Sequence, residues 1–228
     1  MKKKFLLFDA DGTLLDFSAS EKKALAKTFA EYRLPFTDAV YQWHLVNNAK
    51  LWQDYEKGII DRKTVLYTRF VRLFAHFGYA GDGAAFEDSY RHNLDHSCEV
   101  FPEASEVVQT LSNTHDLYIV TNGVASTQET RIGDSGLKPY FKDIFISEYL
   151  GSQKPHKAFF DQCFGRIPDF DPALALIIGD SLTSDIKGGN NAGIETCWFN
   201  PNGEENHTDA IADYEIRSLK ELYDLLAE

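Results

Sequence analysis

The chain has little cysteine and little methionine. Its 228 residues include three cysteines and one methionine. Cys98, Cys163 and Cys197 are odd in number and far apart, and they form no C-x-x-C pair. This spacing argues against a disulfide framework and a thiolate metal site, so we expect reduced and buried thiols.

Long apolar stretches are also missing. No run approaches the roughly 20 apolar residues that a membrane-spanning helix needs. Three lysines follow Met1, as at the start of a signal peptide, but the apolar run at 5–8 stops at Asp9. That run is too short for a signal-peptide core. The sequence therefore predicts a cytoplasmic protein that does not interact with membranes.

Basic residues are scarce as well. Lys and Arg number 23 against 35 Asp and Glu, which gives a net charge of −12. The electric field of this negative charge repels nucleic-acid polymers and anionic membranes. A phosphate group that the protein binds must therefore be attracted by groups close to its binding site. The 43% apolar content suits a globular protein with a sizeable core. The oligomeric state stays open.

Short apolar runs predict a parallel sheet. From about residue 100 they alternate with helical patterns, which is typical of β-α-β units and predicts a doubly wound, Rossmann-like α/β core. The predicted strands are 5–8, 117–120, 144–146, 174–178 and 196–199, and the predicted helices are 103–113, 125–135, 156–166, 184–192 and 218–226.

The segment 16–97 lacks strand patterns and predicts four helices. Ser18 and Glu21 form a possible capping box at the start of the first helix, and Thr37 and Asp61 are suitable N-caps for the next two. The fourth helix fits 84–96. Because the first strand precedes this segment and its partners follow it, we predict a discontinuous core of 1–15 and 98–228 with a helical domain inserted at 16–97.

Polar residues follow the predicted strands. Ligands of a doubly wound sheet bind beyond the carboxyl ends of its strands, so these residues should converge. Carboxylates in one crevice repel each other unless a cation lies among them, and Mg²⁺ prefers oxygen ligands and leaves positions for a substrate phosphate. The pattern therefore indicates phosphoryl transfer. The residues concerned are Asp9, Asp11, Thr121, Asn122, Lys154, Asp180 and Asp185.

This arrangement resembles a known family. The D-x-D-G-T-L run at 9–14, then Thr121, Lys154-Pro155 and Gly179-Asp180-Ser181 with Asp185, resembles the four motifs of the haloacid dehalogenase-like (HAD) hydrolase superfamily. The helical insertion resembles that family's type-one cap domain. The resemblance implies that Asp9 is the nucleophile and Asp11 the general acid and base. The second aspartate favours phosphoryl transfer over dehalogenation.

The resemblance also implies ligands for a metal and a phosphate. Mg²⁺, or alternatively Mn²⁺, would be held by Asp9, Asp180 and the backbone carbonyl of Asp11, with Asp185 binding directly or through water. The phosphoryl group would be bound by Thr121, the backbone around Asn122, and Lys154. Phe17, just after the catalytic loop, is a candidate for stacking on the substrate.

The segment 179–201 is similar to the noncanonical pyrimidine 5′-nucleotidase branch of the superfamily. This similarity implies a phosphatase that hydrolyses small-molecule phosphate monoesters, namely noncanonical pyrimidine nucleoside 5′-monophosphates, through an aspartyl-phosphate. The alternatives are a sugar-phosphate or phosphoglycolate phosphatase, a phosphoglucomutase-like phosphotransferase, and a catalytically silent regulatory protein that binds a phosphate ligand. The intact set of motif residues argues against the silent protein. His92 and His96, four residues apart, read as a solvated helix face and not as a zinc site.

Overall fold

The computed structural model describes residues 3–227, which include a six-stranded parallel sheet of order β3-β2-β1-β4-β5-β6. The second and third strands extend to one side of β1 and the later strands to the other, so the strand order reverses beside β1. This is the predicted doubly wound α/β fold. The strands are β1 Phe5–Phe8, β2 Asp116–Thr121, β3 Asp143–Ile146, β4 Ala175–Gly179, β5 Glu195–Phe199 and β6 Tyr214–Ile216.

The central strand β1 is buried on both faces. Leu6 and Phe8 pack into the apolar cluster on one side of the sheet, and Phe5 and Leu7 pack into the cluster on the other. Successive side chains of a strand point to opposite faces, so a continuous apolar run is what a strand covered on both faces requires.

Ten α-helices occur in the described residues, and most lie close to their predicted positions. The helix predicted at 184–192 begins as a π-helical turn, Leu182–Ile186, and the one predicted at 218–226 begins as a 3₁₀ turn, Leu219–Glu221. The helices are α1 Phe17–Glu31, α2 Asp38–Glu56, α3 Arg62–Phe77, α4 Gly83–Asp95, α5 Ala104–Leu111, α6 Ala125–Asp134, α7 Ser147–Leu150, α8 Lys157–Phe164, α9 Lys187–Ala192 and α10 Leu222–Ala227.

The chain divides into two compact units. The residues up to Phe17 and those from Cys98 onward form the α/β core, and Ser18–Ser97 form the helical cap domain. No helix of the described residues is long and apolar enough to cross a membrane. The three cysteines are free, and Cys163 and Cys197 are buried.

The predicted capping box at Ser18 is wrong. Helix α1 begins at Phe17, which places Ser18 inside the helix. The carboxylate of Glu21 is buried and accepts hydrogen bonds from His44 Nε2 at 3.0 Å and Asn48 Nδ2 at 3.2 Å. Glu21 therefore serves the interior of the cap domain. The N-caps Thr37 and Asp61 are confirmed, since their side chains accept from backbone amides of the first helical turn.

A polar network lies inside the cap domain. Arg69 of α3 donates from Nε and Nη2 to the two oxygens of Glu87 in α4, at 2.6 and 2.8 Å, and from Nη1 to Asn48 Oδ1 at 3.2 Å. Burial alone would lower the pKa of Arg69, but the neighbouring Glu87 raises it above its ordinary value. Through Glu21 and Asn48 the network joins all four cap helices.

Replacement of Arg69 by Met should destabilise the cap domain. Removing one partner of a buried ion pair leaves the other charge uncompensated and costs about 3–5 kcal/mol. Thermal unfolding followed by circular dichroism should show a Tm lower by roughly 6–20 °C. Arg72→Met, at an exposed position of the same helix, is the matched control and should change Tm little. Equal Tm values for the two variants would contradict this prediction.

Candidate active site

The carboxyl ends of neighbouring strands bring the predicted site residues together. Asp9 directly follows β1, Thr121 is the last residue of β2, and Asp180 directly follows β4. Since β1 pairs with both β2 and β4, these positions lie side by side at one edge of the sheet. Carboxylate oxygens of Asp9, Asp180 and Asp185 all lie within 4.8 Å of one another.

Lys154 is the cationic centre of this cluster. The residue is 1% exposed, and Nζ donates to Asp9 Oδ1 at 2.6 Å, Asp185 Oδ1 at 2.6 Å and the Val120 carbonyl at 2.7 Å. An ammonium group has three N–H donors, and all three are used. Burial alone would lower the pKa of Lys154, but the carboxylates of Asp185 and Asp9 raise it above its ordinary value.

Two acidic residues of the cluster, Asp9 and Asp180, have raised pKa values. Burial, together with the charges of Asp185 and Asp180, raises the pKa of Asp9 well above its ordinary value, although Lys154 acts in the opposite direction. Burial and the nearby Asp185 raise the pKa of Asp180 to about 7. Near neutral pH Asp180 is therefore partly protonated unless a further cation stabilises its charged form.

The cluster fits a hard divalent cation. Its donors are carboxylate oxygens, which Mg²⁺ prefers, and Lys154 balances only one of the three negative charges. Asp9, Asp180 and Asp185 are the residues that could hold the ion. The Asp11 carboxylate accepts hydrogen bonds from Gln128 and Arg131 and is not part of this cluster. A metal contact through the backbone carbonyl of Asp11 stays a prediction.

Gly12 allows the first motif to approach the fourth. Its φ is 87°, in the left-handed region, and a Cβ atom at this position would overlap the carboxylate of Asp180. The neighbouring Thr13 hydroxyl donates to Asp180 Oδ1 at 3.3 Å. The D-x-D-G-T loop thus contacts the carboxylate that follows β4.

Asn122 contacts Lys154 through its side chain. Its Nδ2 donates to the Lys154 carbonyl and its Oδ1 accepts from the Lys154 backbone amide, both at 2.9 Å. This pair of bonds fixes the backbone that carries the buried ammonium group. Both polar groups of the Asn122 side chain are therefore hydrogen-bonded to Lys154. The predicted phosphate contact is through the backbone around Asn122, and it stays a prediction.

Two site residues were missed by the sequence analysis. Gln128 Nε2 donates to Asp11 Oδ2 at 3.0 Å, and Arg131 Nη1 donates to Asp11 Oδ1 at 2.5 Å. Both lie on α6, three residues apart, in the helix that follows Thr121. The sequence feature that could have indicated them is the spacing of two polar residues three positions apart, which places both on one face of a helix. Phe17 lies beside this pair, with its ring 5.5 Å from the Arg131 guanidinium, so Arg131 covers one face of the candidate stacking residue.

The chain is similar to proteins of a known family. Residues 6–199 match the model of the haloacid dehalogenase-like hydrolase family. The chain belongs to this family, and the prediction of a HAD-type enzyme is confirmed.

Individual relatives cover nearly the whole chain. The HAD-hydrolase YfnB from Bacillus subtilis, in a crystal structure bound to magnesium, is 46% identical in sequence to this chain. The two structures match with a TM-score of 0.96 over 100% of both chains. Pyrimidine 5′-nucleotidase PynA of Streptococcus pneumoniae is 42% identical over 98% of this chain and 94% of its own. Pyrimidine 5′-nucleotidase YjjG of Escherichia coli is 30% identical over 100% of both. The predicted resemblance to the pyrimidine 5′-nucleotidase branch is thereby confirmed.

Proposed function

We propose that this chain is a Mg²⁺-dependent phosphatase that hydrolyses pyrimidine nucleoside 5′-monophosphates through an aspartyl-phosphate on Asp9. The observation that carries the proposal is the cluster of Asp9, Asp180 and Asp185 around Lys154, with the second aspartate, Asp11, two residues from Asp9. The substrate class is supported by the two relatives named pyrimidine 5′-nucleotidases.

In the first step, an oxygen of Asp9 attacks phosphorus and the bond from phosphorus to the ester oxygen breaks. Asp11 gives its proton to the departing oxygen, so the nucleoside leaves as a neutral alcohol. Thr121 donates a hydrogen bond from its hydroxyl group to a phosphoryl oxygen in this mechanism. This role is supported by the two bonds that the hydroxyl oxygen already accepts, from Gly123 N at 3.1 Å and from Gln128 Nε2 at 2.8 Å, which leave its O–H free to donate.

In the second step, a water oxygen bonds to phosphorus as the bond from Asp9 to phosphorus breaks. Asp11, now a carboxylate, takes the proton of that water. Lys154 keeps Asp9 oriented through both steps by its 2.6 Å hydrogen bond. When bound by Asp9, Asp180 and Asp185, Mg²⁺ supplies positive charge that keeps Asp9 ionised and screens the approach of one anion to another.

Phosphate release by the purified protein tests the proposal. The panel contains pyrimidine and purine nucleoside monophosphates, sugar phosphates and phosphoglycolate, each with Mg²⁺ and with EDTA. Preference for uridine or thymidine monophosphate, abolished by EDTA, is the expected result. Preference for a sugar phosphate or phosphoglycolate would overturn the substrate class. No release from any substrate would overturn the enzymatic function.

Binding of Mg²⁺ should stabilise the protein more at pH 8 than at pH 5.5. The pKa of Asp180 is about 7 in the folded protein, against about 3.9 for an unfolded aspartate. Between these values the folded state holds the extra proton, so without metal the stability falls as pH rises through the window. At pH 8, Mg²⁺ at about 100 times its Kd should add ~2.7 kcal/mol, or roughly 5–10 °C in Tm.

Calorimetry with and without MgCl₂ at the two pH values measures this difference. NaCl of equal ionic strength controls for screening, and Asp180→Asn should reduce the Mg²⁺-dependent shift. A shift of the same size at both pH values, or one reproduced by NaCl, would contradict a metal site at this cluster.

A further inference from the structure

Two long polar side chains of the α/β core are fully buried beside the site. Gln128 and Arg131 are 1% and 0% exposed. Arginine is almost never fully buried unless it is paired with another group. Their spacing of three residues on α6 places both on one face of that helix. In the proposed reaction Arg131 has no role, and Gln128 takes part only as a partner of Thr121.

The contacts of this pair form one chain of hydrogen bonds. Gln128 Nε2 donates both to Asp11 Oδ2 at 3.0 Å and to Thr121 Oγ1 at 2.8 Å. Arg131 Nη1 donates to Asp11 Oδ1 at 2.5 Å and to Gln128 Oε1 at 3.4 Å. Since arginine has only donors, the amide oxygen of Gln128 must face Arg131 and its nitrogen must face Asp11 and Thr121.

The surroundings hold the pair in place. A Cβ atom on Gly123 would lie 2.6 Å from Cδ of Gln128, so this close approach requires glycine between Thr121 and α6. The thiol of Cys98 donates to the Arg131 carbonyl at 3.2 Å. Arg131 is thus fixed at its backbone by Cys98 and at its guanidinium by Asp11.

We propose that Gln128 and Arg131 are positioning residues that hold the Asp11 carboxylate and the Thr121 hydroxyl in one fixed arrangement. This inference rests on the proposed function. Asp11 must meet the ester oxygen in the first step and the attacking water in the second, while Thr121 holds the phosphoryl group. A shared amide sets the distance between the proton-transfer group and the phosphate-binding group, and a misplacement of about 1 Å can cost roughly 10²-fold in rate.

Two substrates with different leaving groups distinguish a positioning role of Gln128 and Arg131 from a general structural role. A nucleoside 5′-phosphate releases an alkoxide that needs the proton of Asp11, whereas p-nitrophenyl phosphate releases a phenolate that does not. In Gln128→Leu and Arg131→Met, kcat/KM should fall about 10²-fold for the nucleotide and less than about tenfold for p-nitrophenyl phosphate. Arg131→Lys keeps the charge and one donor, so it should recover part of the loss.

Glu129→Gln, at an exposed position of the same helix, is the matched control and should leave both substrates unchanged. Equal losses on the two substrates, or no loss, would overturn the inference. If the enzyme prefers another alkyl phosphate, that ester takes the place of the nucleotide, so a wrong substrate class does not affect the comparison.

A crystal structure of Gln128→Leu tests the inference without turnover. We expect the Asp11 carboxylate to leave the position seen here, with its bond to Arg131 lost or lengthened. If Asp11 and Thr121 keep their arrangement without the amide, the inference is wrong, whatever the enzyme hydrolyses. If Arg131→Met does not fold, the Gln128 and Arg131→Lys variants decide the question.

Discussion

Replacement of Asp9 by Asn is expected to lower kcat by at least ~10⁴-fold, because the amide is a poor nucleophile for phosphorus and cannot form the aspartyl-phosphate. The side chain keeps its shape, and Lys154 keeps its bonds to Asp185 and to the Val120 carbonyl. The fold should therefore be retained, and the loss should be specific to turnover.

Phosphate release and thermal unfolding of the same preparation measure the two effects of Asp9→Asn. Asp143→Asn, at an exposed aspartate that begins β3, is the control and should keep full activity. An Asp9→Asn variant that is folded and still turns over within tenfold of the wild type would show that Asp9 is not the nucleophile. Loss of turnover with the fold intact would also argue against a silent regulatory protein.

Replacement of Lys154 by Met should damage both activity and stability. The buried carboxylates of Asp9 and Asp185 would lose their shared cation, and breaking a buried ion pair in this way costs about 3–5 kcal/mol. The Tm should fall by roughly 6–20 °C at pH 8. The fall should be smaller at pH 5.5, because the pKa values of Asp9 and Asp180 are already raised and protonation relieves the repulsion.

Lys157→Met is the matched control for Lys154→Met. Lys157 is exposed and pairs with Asp161 on the surface of α8, where such a pair contributes about 0.3–0.5 kcal/mol. Unfolding at both pH values, with EDTA present, compares the two lysines. A drop in Tm for Lys154→Met that is no larger than that for Lys157→Met, or that is larger at pH 5.5 than at pH 8, would contradict the prediction.

Most of the fold could be predicted from the apolar patterns of the sequence. Five strands and the cap helices were predictable because continuous apolar runs and N-cap residues are local signals. The short strand β6 was missed, because Tyr214 and Glu215 are exposed and only Ile216 is buried. The capping box at Ser18 failed for a different reason: Glu21 is used by a buried network whose partners, His44 and Asn48, are remote in sequence.

The candidate site was predictable as a set of strand ends but not as a set of bonds. Alternation of strands and helices places Asp9, Lys154 and Asp180 at one edge of the sheet. It does not reveal that Lys154 uses all three of its donors within the protein, or that the Asn122 amide holds the Lys154 backbone. These contacts depend on side-chain directions, which a linear pattern does not specify.

The insertion of the cap domain sets an order in which the molecule can form. Strand β1 pairs with β2 and β4, and in these pairs Phe5 lies opposite Asp116 and Ala175. Each of these partners is more than a hundred residues away in the chain. The cap domain is one continuous segment of helices whose contacts are shorter in range. Local contacts form faster than distant ones, and synthesis delivers the cap segment before β2. We therefore expect the helical domain to fold while the nucleophile is still on an unpaired strand, so that a nascent chain acquires its cap before it has an active site.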